Sequence, residues 1–237
     1  MLEKLRFGKE KSLAVKVKIP KHVAITLDGI DEWKRKNEKY KEEANKKSFL
    51  KVIEIIKYQI KLDIPIITFS ILNEGREYDN EFLEELSRFI TYLIDEETMS
   101  KLKISVLGKW YDLPNKVLEP MKKLIEKTKD NESFFVNLCI NYNGQEEIVD
   151  ACRLIARKIM AEKIDPESID KETIKENSYS SYFIPPELII VNGNKNLKSN
   201  LLLWDSASSS IYFSNKMWPD FEKSDFMDAI NAYQKSQ

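Results

Sequence analysis

The chain has 237 residues, with 38 lysines and arginines against 39 aspartates and glutamates, one histidine and two cysteines. That length suits one large domain or two small ones, and 42% hydrophobic residues suffice for a core. A net charge of −1 excludes an evenly basic nucleic-acid binder, and the cysteines with the lone histidine supply neither a disulfide framework nor a typical zinc site.

The first residues, Met1 to Arg6, lack the apolar stretch of a secretion signal. Nowhere do the about 18 uninterrupted apolar residues of a membrane span occur. The expectation is a cytoplasmic protein without a transmembrane segment. The first strand signal is Val23 to Leu27, closed by Asp28-Gly29. A charged run, Lys34 to Lys47, reads as a solvated helix or mobile segment. Phe49, Ile53, Ile56 and Ile60 then recur at helical spacing. Ile64 to Leu72 is apolar and β-branched, a buried strand, and Asp79 to Ile94 returns to helix. Lys103 to Leu107 is a strand, Asn115 to Lys129 a helix after Pro114, and Phe134 to Ile140 a strand. Glu146 to Met160 is a helix with Ile148, Ala151, Cys152, Ile155 and Ile159 inward, and Leu188 to Val191 and Ile211 to Phe213 are short strands. Alternation of apolar strands with helices predicts an α/β fold: one domain over residues 1–237, its six-stranded, mostly parallel sheet covered on both faces. Ligands of such sheets collect at the carboxyl ends of the strands. Asp28-Gly29, Asn73 to Gly75, Asn141 to Gly144 and Asn192 to Ser199 are therefore expected around one crevice.

Those strand ends carry a resemblance. Ile19-Pro20-Lys21-His22-Val23-Ala24-Ile25-Thr26-Leu27-Asp28-Gly29, with Trp33, resembles the H-x-A-x-x-M-D-G-N-x-R-W opening of the cis-prenyltransferases, which include undecaprenyl and dehydrodolichyl diphosphate synthases. Thr128 to Asn131 is similar to T-x-x-N, and Asn141 to Val149 to N-Y-G-G-R-x-E-I-V. Ser199-Asn200-Leu201-Leu202-Leu203-Trp204 resembles S-N-F-L-L-W; Ile211-Tyr212-Phe213 and Trp218-Pro219-Asp220-Phe221 resemble E-x-Y-F and L-W-P-D-F. Order and spacing hold from residue 19 to residue 221. The resemblance implies the undecaprenyl diphosphate synthase fold, a long apolar tunnel, a dimer, and Mg²⁺-dependent condensation of isopentenyl diphosphate onto an allylic diphosphate.

That reaction asks for Mg²⁺, arginines and backbone N–H groups around a departing diphosphate. By the resemblance Asp28 holds the place of the catalytic, metal-associated aspartate; as a residue before a helix it equally suits an N-cap. Gly29, Ser199 and Asn200 carry over as substrate-binding positions. The surrounding motif departs from the family. Ile30 replaces Asn and Glu32 replaces Arg, with Asp31 between them, so carboxylates crowd the place of the allylic diphosphate. Lys41 and Asn45 stand for R-x-x-G-H, and Asn73 to Glu77 for S-x-E-N-W with only a shifted Glu74. Val191, Lys195 and Leu197 replace Arg, Glu and Arg of the isopentenyl diphosphate motif; Ser210 replaces the metal glutamate, and Gln145 an arginine. Lys195 and Lys198 restore charge without the fork geometry of arginine.

The carboxy-terminal aromatics stay family-like, and Trp204, Tyr212, Phe213 and Trp218 are expected at a subunit interface. The function expected is a non-catalytic subunit of a heteromeric cis-prenyltransferase making long-chain polyprenyl diphosphate. Its partner is a catalytic homologue that holds the Mg²⁺; failing that, the chain forms a homodimer. Such accessory chains resemble the Nogo-B receptor, although this chain ends Gln234-Lys235-Ser236-Gln237 without their R-x-G motif. A peripheral association with membrane accompanies a lipid product. Two alternatives stand beside this reading: an unorthodox stand-alone prenyl diphosphate transferase, and a polyprenyl-phosphate-binding module.

Overall fold

In the computed structural model, residues 18–96, 100–193 and 200–237 are described. Six strands form one sheet: β1 (His22–Thr26), β2 (Ile66–Asn73), β3 (Leu102–Leu107), β4 (Phe134–Tyr142), β5 (Leu188–Asn192) and β6 (Ser210–Ser214). Their order is β3-β4-β2-β1-β5-β6, and every pairing is parallel. The expected six strands are all present, and the sheet is wholly rather than mostly parallel. Parallel strands need covered crossovers, so strands read as continuous apolar runs instead of alternating ones. All five residues of β1 are buried, and β2 is buried up to its last residue.

The helices are α1 (Ile30–Lys36), α2 (Ala44–Leu62), α3 (Asn80–Asp95), α4 (Asn115–Thr128), α5 (Gly144–Met160), α6 (Lys171–Glu176) and α7 (Lys223–Lys235). One sheet face carries the main core. There Phe49 of α2 stacks on Phe89 of α3 at 5.2 Å and tilts against Phe82 at 5.7 Å. Phe226, Ile230 and Tyr233 of α7 join the same core. On the other face Ala24, Cys139, Tyr142, Ile189, Val191, Leu201 and Leu202 form a smaller cluster. Local chemistry sets the ends of these helices. Asp79 caps α3 by accepting the Phe82 N–H at 2.8 Å, and Asn143 caps α5 by accepting the Gln145 N–H at 2.9 Å. Asp63 closes α2 in the left-handed conformation, φ 55°.

Two departures from the sequence expectation are physical. The charged run Lys34 to Lys47 is no continuous solvated helix: it splits into the end of α1, a 3₁₀ turn over Glu38–Glu43, and the first turn of α2. Ala44 and Asn45 within it are buried, at 0% and 2% exposure. The terminal helix α7 was unforeseen, yet Phe226, Ala229, Ile230 and Tyr233 recur at the i, i+3, i+4, i+7 spacing of a buried stripe.

The one histidine is structural. His22 Nδ1–H donates to the Ile184 carbonyl at 2.6 Å, and Nε2 accepts from the Thr68 hydroxyl at 2.8 Å. Thr68 in turn accepts from Asn137 Nδ2 at 3.0 Å. Protonating Nε2 would set a donor against the hydroxyl hydrogen, and burial already disfavours the cation. Desolvation is the main cause that brings the His22 pKa from 6.5 down to about 4. Between those values the unfolded chain binds a proton that the native chain refuses. Stability is therefore lost as pH falls through this window, by about 3 kcal/mol in full. Urea denaturation at pH 7, 6, 5 and 4.5 should show this loss, and His22→Gln should flatten it. An equal loss in the variant would assign the acid sensitivity to other groups.

Candidate functional site

Strand β1 ends at Thr26, and Leu27-Asp28-Gly29 turns the chain into α1. Gly29 has φ 88°, open to glycine and strained for side chains. A Cβ there would stand 2.9 Å from Met217 Cγ, and a Cβ at Gly193 would stand 3.2 Å from the Gly29 Cα. Close packing of protein against protein thus already requires this glycine. The turn is tied down on two sides. The Trp33 N–H donates to the Gly29 carbonyl at 2.8 Å, and the Trp218 N–H to the Asp28 carbonyl at 3.0 Å. Ile30 and Trp33, three residues apart, face the core, which leaves Asp31 exposed and Glu32 half-buried.

The neighbouring strand β2 ends in the turn Asn73-Glu74-Gly75-Arg76, closed by Arg76 N–H to the Asn73 carbonyl at 3.2 Å. Between the two turns lies a crevice of about 470 Å³ lined by Asp28, Asp31, Glu32, Arg35, Glu74 and Arg76. Across it Arg76 Nη2 donates to Asp31 Oδ1 at 2.9 Å. Beside it Lys109, from the end of β3, donates to Glu74 at 2.7 Å and to Glu146 of α5 at 3.1 Å. Those two carboxylates hold its ammonium above the usual lysine range. Glu32 pairs with Lys36 one helical turn on, at 2.7 Å. Asn192, ending β5, donates from Nδ2 to the Thr26 carbonyl at 2.7 Å, which sets Gly193 beside Gly29.

The structure thus gathers Asp28-Gly29 and Asn73 to Gly75 at one crevice, with Asn141 to Gly144 alongside. Of the fourth expected segment, Asn192 and Gly193 take part; Lys195, Leu197, Lys198 and Ser199 lie outside the described residues. Asn200 has φ 46°, and its carbonyl oxygen would lie 2.0 Å from a Cβ at Gly144, so it packs on the start of α5. Ser210 opens β6 at the end of the strand remote from the crevice. Three cations escaped the sequence reading. Arg35 was absorbed into the charged run, Arg76 was passed over in the quoted loop, and Lys109 follows the turn glycine Gly108. For Arg76 and Lys109, each directly after a turn glycine, a cation next to a strand-ending turn was the available signal; Arg35, inside α1, carried none.

Among the described residues no group of three or more histidine, cysteine, aspartate or glutamate side chains is placed to hold a metal ion. The carboxylates that share the crevice with Asp28 pair with cations of the chain itself: Asp31 with Arg76, Glu32 with Lys36 and Glu74 with Lys109.

The aromatics expected at an interface divide. Trp204 is half-buried in a wide groove with Tyr182, Ile184 and Lys175. Along β6 the side chains alternate: Tyr212 packs on the main core, whereas Ile211 and Phe213 are 45% and 44% exposed. Trp218 belongs to the core and not to the surface. It is 0% exposed, stacks on Phe221 at 5.3 Å, and donates its indole N–H to the Ser48 carbonyl at 3.0 Å. Its only polar group is satisfied inside, so no partner surface reaches it.

Comparison with known proteins bears on this crevice and its scaffold. Residues 26–237 match the family model described as putative undecaprenyl diphosphate synthase. An isoprenyl transferase of Thermotoga maritima is 32% identical over 231 residues, covering 93% of this chain and 96% of that protein. A tritrans,polycis-undecaprenyl-diphosphate synthase (geranylgeranyl-diphosphate specific) of Thermoplasma volcanium is 37% identical over 225 residues, covering 92% and 87%. Lavandulyl diphosphate synthase from Lavandula x intermedia, solved in complex with dimethylallyl diphosphate, superposes with a TM-score of 0.84 at 24% identity, over 91% of this chain and 95% of that one, a likeness of fold. Matched along nearly its whole length, this chain belongs to the undecaprenyl diphosphate synthase family, the cis-prenyltransferases.

Proposed function

We propose that the chain is the non-catalytic subunit of a heteromeric cis-prenyltransferase that extends an allylic diphosphate with isopentenyl diphosphate. One observation carries the reading: the cations at the strand ends are bound by the chain's own carboxylates, Arg76 by Asp31 and Lys109 by Glu74 and Glu146. Catalysis of diphosphate departure needs preorganised positive charge that is not already neutralised. The chain keeps the scaffold and spends its charges on itself. A homologue with the complete motifs supplies the diphosphate site and the Mg²⁺. Exposed Ile211 and Phe213 on β6 offer apolar surface for such a partner.

The test is to purify the chain from its source and determine the native mass and composition of its complex. Incorporation of labelled isopentenyl diphosphate should then require both chains. A homodimer that incorporates label alone would sink the proposal. It would also favour the second reading, a stand-alone transferase with a rearranged site. That reading draws on Arg35, which lines the crevice and has no ion-pair partner among the described residues.

A further inference from the structure

The sheet has two edges, β3 and β6. β3 carries Lys103, a charge that discourages a further strand, whereas β6 reads Ser210-Ile211-Tyr212-Phe213-Ser214, with neither charge nor proline. Its register against β5 runs unbroken from Ser210 to Ser214. The Ser210 N–H donates to the Glu187 carbonyl at 3.0 Å, and the Gly193 N–H to the Ser214 carbonyl at 3.2 Å. Bonding alternates along a parallel strand, so Ser210, Tyr212 and Ser214 turn their backbone groups to β5. The N–H and C=O of Ile211 and Phe213 therefore point off the edge. The chain enters the sheet at the foot of this edge. There the Lys21 N–H donates to Glu187 Oε2 at 2.6 Å, on the residue whose carbonyl Ser210 bonds. Lys18 Nζ lies 5.9 Å from the Tyr233 ring centre and donates to Gln237 Oε1 at 2.6 Å, which puts its side chain on the α7 side of the sheet. Residues 1–17 lie outside the described residues. In sequence, Val15-Lys16-Val17-Lys18-Ile19 alternates apolar residue and lysine, the period of a half-buried strand.

We propose that residues 13–17 of the chain itself dock on the open edge of β6 as a seventh, antiparallel strand. The direction follows from the parallel sheet: β1 and β6 run the same way, and a segment beside β6 must arrive at their common foot before β1 begins. The length suffices. The seven residues from Val15 to His22 extend over about 23 Å, against about 14 Å for the three strand spacings between an added strand and β1. Side chains alternate along a strand, so with Lys18 on the α7 side Lys16 joins it. Val15 and Val17 then fall on the face of Ile211 and Phe213, where valine beside isoleucine and phenylalanine is a favourable cross-strand pairing. A strand from another molecule competes for this edge at its bulk concentration, whereas the tethered segment is present at an effective concentration in the millimolar range. The inference does not depend on the subunit reading; Val15 and Val17 widen the apolar face which that reading uses.

Paired cysteines in the full chain with Cys152→Ser test it, the remaining thiol, Cys139, being buried. Ile211 and Phe213 would meet an added strand as hydrogen-bonded pairs with Cα atoms about 5.5 Å apart, a separation that a disulfide spans. Val15→Cys combined with Ile211→Cys or with Phe213→Cys should therefore oxidise to a link within one chain, which runs as a monomer on a non-reducing gel. Lys16→Cys with the same partners should link at least about tenfold less, because its side chain leaves by the other face. Val15→Pro takes away a donor aimed at β6 and should speed amide exchange at Ile211 and Phe213 at least about tenfold. The proposal is overturned if neither Val15→Cys pair links, if Lys16→Cys links equally, if links form only between two chains, or if Val15→Pro leaves the exchange unchanged. These readouts involve neither turnover nor a partner, so failure here and failure of the subunit reading are seen separately.

Discussion

Lys175→Met is expected to destabilise the chain by about 3 kcal/mol, because it leaves a carboxylate buried without its cation. The Lys175 ammonium donates to Asp205 Oδ2 at 2.6 Å, and the Asp205 side chain is 2% exposed. Ser180 donates its hydroxyl to the same oxygen at 2.6 Å and its backbone N–H to Glu147 at 3.1 Å. Glu147 also accepts from the Tyr142 hydroxyl, and Tyr142 accepts the Leu202 N–H at 3.1 Å. The network thus joins β4, α5, α6 and the segment after β5. Burial pushes the Glu147 carboxyl above the ordinary range, so the region already resists holding negative charge. Removing the one cation shifts the whole balance. The hydroxyl of Ser180 remains as partner, which keeps the loss near the lower end for broken buried pairs. Adding Asp205→Asn to Lys175→Met should restore about 2 kcal/mol, since the orphan charge disappears with it. Urea denaturation of the two single variants and the double variant measures the coupling. Strict additivity would show that the pair is solvated and that burial does not set its energetics.

Trp218→Ala should cost about 4 kcal/mol, the scale for emptying a fully buried tryptophan site. The ring lies against Phe221 and, edge-on at 6.4 Å, against Phe69 of β2, and its N–H reaches α2 at Ser48. Three elements close around it, so collapse cannot fill the space. Trp218→Phe keeps most of the apolar contact and loses the hydrogen bond, and a loss of about 1 to 2 kcal/mol follows. A surface role would predict the reverse pattern: normal stability in both variants and impaired association. Thermal melts with size-exclusion chromatography separate the two.

Strands were legible because a parallel sheet forces apolar runs, and Val23 to Leu27 or Phe134 to Ile140 have no other stable use. Helices α2 to α5 were legible from their stripes, with edges of α3 to α5 blurred by a residue or two at caps such as Asn143; α2 begins at Ala44, five residues before the expected Phe49, and Cys152 of α5, expected inward, is exposed. Short α1 and α6 were not, since six or seven residues carry too little periodicity. The location of the crevice followed from topology, because β1 and β2 are neighbours and both end there. Its electrostatics did not follow. Arg76 and Asp31 are 45 residues apart, and Lys109 meets Glu74 across 35. No local pattern announces which charges will cancel. Trp218 misled for a related reason: an aromatic suited to an interface and one suited to a core look the same until the destination of its N–H is known.

The central position of β1 has a consequence for how the chain comes into being. β1 is flanked by β2 and β5, and Asn192 bonds to Thr26 across 166 residues. At ordinary rates of translation β5 emerges about 10 to 30 s after β1. Until then the most enclosed strand of the native sheet has one of its two sides open. The nascent chain is thus an early half-sheet awaiting its other flank, and its assembly is limited by long-range closure and not by the speed of its helices.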